Sequence, residues 1–422
     1  MKQPIFILLL CLLATACGSV QQNQSDDETE RMKIPVRTTA EILGNPEFQA
    51  ISYGGYRNAN HDIEPTIPEL KEDMQLLYAM GIRVLRTYKV HKPHAANVLA
   101  AIRELKEEDP EFEMYVMLGA WIDCLNAWTE FPPDHEQESA RNAIEIARAV
   151  ELATEYPDIV KVIAVGNEAM VKWATSYFVQ PWVILKWVRH LQQLKATGEL
   201  PADLWITSSD NFASWGGGSG EYHVEDLNEL IRSVDFIAMH TYPMHDTHYN
   251  PGFWKSGPAE AAQSDSIRIH AAMLRAKEYA MSQYDSVARY MKGLGVDIPI
   301  HITESGWASF SNGLYSPDGS RACDEYKMAL YHQHIRDWTN ESGMSCFYFE
   351  AFDEPWKDAA NPGGSENHFG LFTVDGQAKY AIWDLVDQGI FEGLTRGGNP
   401  IVKTHNGEEA AVIEAASTPP MR

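Results

Sequence analysis

The chain has 422 residues, 34 of them basic and 59 acidic, for a formal charge of −25, with 45% hydrophobic and 22% charged positions. Such a composition is globular, and so negative a field repels phosphate backbones and anionic headgroups, which excludes nucleic acid and direct adsorption to a membrane surface as partners. The length admits two or three domains, or one α/β barrel with insertions.

The N-terminus reads as a targeting segment. Lys2 precedes a short apolar run from Ile5 to Ala14, too short to span a bilayer, and Ala14-Thr15-Ala16-Cys17 follows. The arrangement resembles a bacterial lipoprotein signal. Residues 1–16 are then expected to be removed and Cys17 to carry lipid, placing the protein at the cell envelope as an outer-membrane lipoprotein on the periplasmic or surface-exposed side. An ordinary signal peptide with an incidental cysteine is the alternative. Residues 17–40 form the expected tether, since Gly18 to Arg31 is polar and acidic and buries too little to offset its ordering entropy. Of the five cysteines, Cys124, Cys323 and Cys346 belong to the folded part. None has metal-site spacing, and one disulfide among them is left open.

Eight short apolar, β-rich runs follow in order: Phe48 to Tyr53, Ile82 to Tyr88, Met114 to Trp121, Val162 to Val165, Leu204 to Ser208, Phe236 to Tyr242, Ile298 to Thr303 and Cys346 to Phe349. Helical patterns separate them. Thr66-Ile67-Pro68-Glu69 is a capping box with an early proline, followed by an apolar stripe of Leu70, Met74, Leu77 and Tyr78 that Gly81 ends. Val183, Trp187, Leu191 and Leu194 repeat the pattern later. Near-continuous apolar strands alternating with amphipathic helices predict an all-parallel sheet covered by helices, and eight of them predict closure into a single-domain α/β fold, a (β/α)8 TIM barrel over residues 41–390. A doubly wound open sheet is the rival, but Tyr53-Gly54-Gly55-Tyr56-Arg57 lacks the glycine-rich phosphate turn that such a sheet carries after its first strand. Residues 391–422 are expected to form a partly disordered tail.

In a barrel, chemistry sits at the C-terminal strand ends. Those positions hold Tyr53 and Arg57, Arg86 and Tyr88, Trp121 and Asp123, Asn167 and Glu168, Asp210 and Asn211, His240 and Tyr242, Glu304 and Trp307, and finally Glu350, Asp353, Glu354 and Lys357. Glu168 and Glu304 end the fourth and seventh strands and so face each other across the barrel mouth. Such a pair suits glycoside hydrolysis, in which one carboxyl donates a proton and the other attacks the anomeric carbon; a buried ion-pair network is the competing reading.

Val165-Gly166-Asn167-Glu168, Ile302-Thr303-Glu304-Ser305-Gly306-Trp307 and Phe349-Glu350-Ala351-Phe352-Asp353-Glu354-Pro355-Trp356-Lys357 resemble the signature segments of glycoside hydrolase family 17, the β-1,3-glucanases and glucanosyltransferases, over roughly residues 47–387. The resemblance implies a (β/α)8 barrel and a retaining double displacement on β-glucan, with Glu168 as acid/base and Glu304 as nucleophile. No cofactor is expected, and no metal either, since His240, His245 and His248 have no zinc spacing. Asn167 is expected to bond the sugar 2-hydroxyl, Tyr242 to donate to Glu304, and Glu354 and Lys357 to stand beside the active carboxylates. Tyr53 and Arg86 are further supporting positions. Sugars present apolar C–H faces, so aromatic platforms are expected as well. Trp307 and Trp356, beside the catalytic motifs, are the foremost, with Trp121, Trp128, Trp215, Tyr249, Phe253, Trp254 and Phe310 also in loops or at strand ends, and His368 is a subsite contact implied by a further matching segment. The expected partner is a β-glucan polysaccharide or oligosaccharide, bound by a monomer that meets the membrane only through its lipid. A β-1,3-glucanosyltransferase is the alternative enzyme, because both activities share the glycosyl-enzyme intermediate. A non-catalytic surface glycan-binding protein is the remote one, and it would lack one of the two carboxylates, both of which are present. A segment from Gly257 to Leu294 has no clear counterpart in the family pattern.

Overall fold

A computed structural model describes residue 1 and residues 37–422. The signal segment, Cys17 and most of the proposed tether lie outside the described residues.

The eight predicted strands are all present: β1 (Gln49–Ser52), β2 (Ile82–Arg86), β3 (Tyr115–Ala120), β4 (Val160–Asn167), β5 (Trp205–Asn211), β6 (Ile237–His240), β7 (Ile300–Gly306) and β8 (Cys346–Phe349). They pair in parallel in chain order, and β1 closes on β8 with Ala50 opposite Phe347 and Ile51 opposite Tyr348. The fold is therefore a (β/α)8 barrel, and the open-sheet alternative falls.

Side-chain alternation divides the apolar residues between two layers. Ala50, Val84, Met117, Val162, Ala164, Ala238 and Phe347 fill the barrel interior, and Ile42 and Leu43 close its lower end. Ile51, Leu85, Val116, Leu118, Ile163, Val165 and Ile302 face the helices. Helix α1 (Ile67–Ala79) starts as expected: Thr66 accepts from the Glu69 amide, proline sits in the first turn, and Leu70, Met74, Leu76 and Leu77 are buried. Helix α2 (Pro181–Thr197) buries Val183, Ile184, Val188 and Leu191 and ends at Gly198 with φ +80°, the left-handed geometry that glycine adopts freely. The segment without a family counterpart contains helix α3 (Asp265–Gly293), a 29-residue helix joining β6 to β7.

The expectation of a loose tail is corrected. Arg396 is buried and donates to Asp73 of α1 at 2.9 Å. Farther on, the Ser417 amide donates to Asp324 at 3.1 Å, Arg268 donates to the Pro419 carbonyl at 2.8 Å, and the Arg422 amide donates to the Ser256 carbonyl at 3.0 Å. Buried polar groups must find partners, and here the tail supplies them. Among the described residues, Cys124, Cys323 and Cys346 are buried thiols and no disulfide joins them.

Candidate active site

The site is assembled around one buried cation. Arg86 at the end of β2 is almost completely enclosed, and a charge so placed requires partners. One guanidinium nitrogen binds Glu304 of β7; another donates to the Asn167 side-chain oxygen at the end of β4. Glu304 collects two phenols as well, Tyr242 at 2.8 Å on one oxygen and Tyr88 at 3.3 Å on the other. Burial alone would favour its neutral acid, but His240, Arg86 and the Tyr242 hydroxyl outweigh burial and hold the Glu304 carboxyl well below the usual carboxylate range.

Glu168 stands in a different environment. Its side chain is 25% exposed. The β4–β5 register shifts between Ala164 and Asn167, Gly166 takes φ +84°, and Glu168 itself takes φ +46°. A Cβ on Gly166 would lie 2.9 Å from the Ala169 side chain. The turn thus needs glycine and re-aims the following residues, with the Glu168 amide held by the Ser209 carbonyl at 2.9 Å. Asp210 then accepts from the Met170 amide at 2.7 Å and fixes the loop beyond. His240, the last residue of β6, lies between the two glutamates. Its Nδ1 is 3.2 Å from Glu168 and its Nε2 is 3.8 Å from Glu304.

On the β8 side, Lys357 binds Glu350 at 2.7 Å, lies 3.5 Å from Glu354, and sits over the Phe349 ring at 3.9 Å. Burial pushes the Glu350 carboxyl well above its ordinary range against the pull of this lysine. Glu354 accepts from the Tyr56 amide at 3.1 Å. A Cβ on Gly54 would collide with that carboxylate at 2.2 Å, which is why the backbone there is glycine. Lys357 therefore has Glu350 and Glu354, which like it follow β8, as its carboxyl partners.

The aromatic positions divide. Trp128 is 58% exposed, and it packs with half-buried Trp121 around Tyr177, stacking on that ring at 5.1 Å. Trp356 is half-buried, stacked on His61 at 3.8 Å, with its indole N–H donated to Glu354 at 3.2 Å. His368 lies edge-on to exposed Phe310 at 5.2 Å and bonds the Pro362 carbonyl at 2.9 Å. Trp307 is corrected as a platform: it is fully buried between Trp254 and Tyr331 and donates to the Ala322 carbonyl at 2.7 Å, anchoring the loop after β7. Tyr53 is corrected too. Its strand phase turns it toward the helices, and its hydroxyl lies 3.1 Å from the Asp73 carboxylate, with no exposed surface. Trp215 and Trp254 are likewise enclosed. His240 and Tyr88 are legible from sequence only as strand-end residues, with no local motif that assigns either a role. Among the described residues, no three His, Cys, Asp or Glu side chains are grouped as metal ligands would be.

Comparison with known proteins agrees with this geometry. The model of the BtgE/BtgC glycoside hydrolase domain matches residues 50–370. A crystal structure of an endo-laminarinase from Formosa Hel1_33_131 is 66% identical, covers 92% of this chain and 98% of its own, and superposes with a TM-score of 0.91. A glucan endo-1,3-β-glucosidase of Vitis vinifera is 24% identical over 350 residues, 79% of this chain and 90% of that protein. The Rhizomucor miehei family 17 β-1,3-glucanosyltransferase, at 19% identity, TM-score 0.53, 79% of this chain and 96% of that one, shares the fold. With the two glutamates on β4 and β7 and a family match that runs from the first strand past the last, the chain belongs to the BtgE/BtgC glycoside hydrolases, in keeping with its resemblance to family 17.

Proposed function

We propose that the protein is a retaining, endo-acting β-1,3-glucan hydrolase in which Glu304 is the nucleophile and Glu168 the acid/base. The observation that carries this reading is the asymmetry of the pair: Glu304 accepts from Arg86, Tyr88 and Tyr242, which favour its anion, while Glu168 keeps part of its side chain exposed at the barrel mouth. The high identity to an endo-laminarinase supports the substrate class and the mode of cleavage. In the first step a Glu304 oxygen bonds to the anomeric carbon as the glycosidic C–O bond breaks, and Glu168 delivers its proton to the departing sugar oxygen. In the second, Glu168 takes a proton from water, whose oxygen displaces Glu304 from the anomeric carbon. Asn167 is suited to bond the sugar 2-hydroxyl, because Arg86 engages its carbonyl oxygen and leaves its N–H groups for a ligand.

The test is a timed product profile on soluble β-1,3-glucan for the wild type, Glu168→Gln and Glu304→Gln. Short oligosaccharides from the wild type and a loss of roughly 10²- to 10⁴-fold or more in each variant are expected. Products longer than a defined oligosaccharide substrate would instead mark a transferase. The reading also includes a monomer anchored to the cell envelope through lipid on Cys17. Ala14-Thr15-Ala16-Cys17 supports the anchor, and Cys17→Ser should release the protein from the envelope fraction.

A further inference from the structure

The ring of His240 is fully buried at the end of β6, and both of its nitrogens are occupied. Nδ1 lies 3.2 Å from the Glu168 carboxylate. Nε2 lies 2.7 Å from the Ser209 hydroxyl, which reaches the Thr303 hydroxyl at 2.8 Å, and 3.5 Å from an Arg86 amino group. A guanidinium has donors only. In a singly protonated ring the nitrogen it faces is the acceptor and the ring proton lies on Nδ1, aimed at Glu168. In the doubly protonated ring, Nδ1 still donates to Glu168.

We infer that His240 is a positioning residue that confines the labile proton of Glu168 to one oxygen. The inference rests on the reading of Glu168 as the acid/base. One Glu168 oxygen can accept from Nδ1–H whether the carboxyl is protonated or ionised, so this bond persists through both halves of the reaction. The proton to be transferred is then restricted to the other oxygen. Without the histidine, a partly exposed glutamate distributes its proton over two oxygens and several rotamers, and presents it to the leaving group only part of the time. The Ser209–Thr303 pair completes the device by fixing the far side of the ring. Glu168 directly follows β4, and Ser209, His240 and Thr303 lie in β5, β6 and β7, so neighbouring strands hold the acid in register with the nucleophile.

The experiment is a leaving-group series. kcat/KM is measured for wild type, His240→Phe and Glu168→Ala on aryl β-laminaribiosides whose phenols run from strongly to weakly acidic, and on a laminari-oligosaccharide. A dinitrophenolate departs without a proton, whereas a sugar alkoxide needs one. We expect His240→Phe to lose at least about tenfold more on the oligosaccharide and the weakly acidic phenols than on the dinitrophenyl substrate, any effect on Glu304 being common to the whole series. A uniform loss along the series, or none, overturns the role of His240. Glu168→Ala separates the two claims. If its series is steep and that of His240→Phe is flat, only the positioning claim fails; if its own series is flat, the assignment of Glu168 fails. A second measurement does not depend on the histidine variant folding. In 15N-histidine-labelled wild type, the ring whose signals respond to Glu168→Ala should carry its proton on Nδ1, and a bare Nδ1 with the proton on Nε2 overturns the inference.

Discussion

Tyr242 donates its phenolic hydrogen to Glu304 at 2.8 Å, on the carboxylate oxygen that Arg86 does not engage. The two donors together saturate the group from both sides and favour its anion. Removing the phenol by Tyr242→Phe takes away a hydrogen bond to a charged group, worth about 1.5–3 kcal/mol, so kcat/KM should fall roughly ten- to a hundredfold. The sign of the pH effect follows from the lowered Glu304 value. Losing a donor lets that value rise, so the acidic limb of kcat/KM should move to higher pH while the alkaline limb stays. A pH–rate profile of the two proteins checks both statements.

Among the described residues, Arg86 is the one guanidinium bonded to Glu304, and both groups are buried. Arg86→Ala takes the guanidinium away from a buried carboxylate and should cost about 3–5 kcal/mol of stability. Arg86→Lys retains the charge but gives up the forked contact that also holds Asn167, so it should fold nearly as well and still lose activity. Urea unfolding beside steady-state kinetics distinguishes these outcomes.

Trp128 and Trp307 should respond in opposite ways. Trp307→Ala opens a cavity in a fully buried aromatic cluster and should destabilise by about 3–5 kcal/mol. Trp128→Ala removes a mostly exposed ring and should leave stability within about 0.5 kcal/mol. If Trp128 serves the glycan, its loss raises KM for long β-1,3-glucan chains more than for a disaccharide glycoside. Thermal melts and chain-length kinetics decide the matter.

Arg396→Ala should destabilise the barrel although it lies far from the site in sequence. Asp73 is completely buried and held by Arg396 and Arg57. Removing one of two cations from a buried acid should cost about 3 kcal/mol, with activity per folded molecule unchanged. Denaturant titration and a specific-activity assay are sufficient.

Much of the site was legible because a barrel delivers the C-terminal end of every strand to one mouth. Glu168, Glu304, Arg86, Asn167 and Tyr242 could be named from that rule and a family resemblance; the last four are found in one bonded group, to which His240 joins Glu168. What failed was the direction in which a side chain points. Trp307 follows a matching motif, yet the chain turns after β7 and buries it. Tyr53 lies one residue past its strand and takes the phase that faces helix α1. His240 depends on Glu168 and Ser209, 72 and 31 positions away. Only the assembled barrel reveals such a pairing. The tail misled for a similar reason: its polar composition hides that Arg396 answers a buried acid 323 positions earlier.

That last pairing bears on the order in which the molecule can be completed. β1 cannot close the barrel until β8 has been made, and the buried acid on helix α1 lacks one of its two cations until residue 396 has emerged. A nascent chain shorter than this carries an open seam at its first strand and an under-compensated charge beneath its first helix. During synthesis, therefore, the early part of the polypeptide waits in an unfinished state, and the finished molecule is locked from its far end.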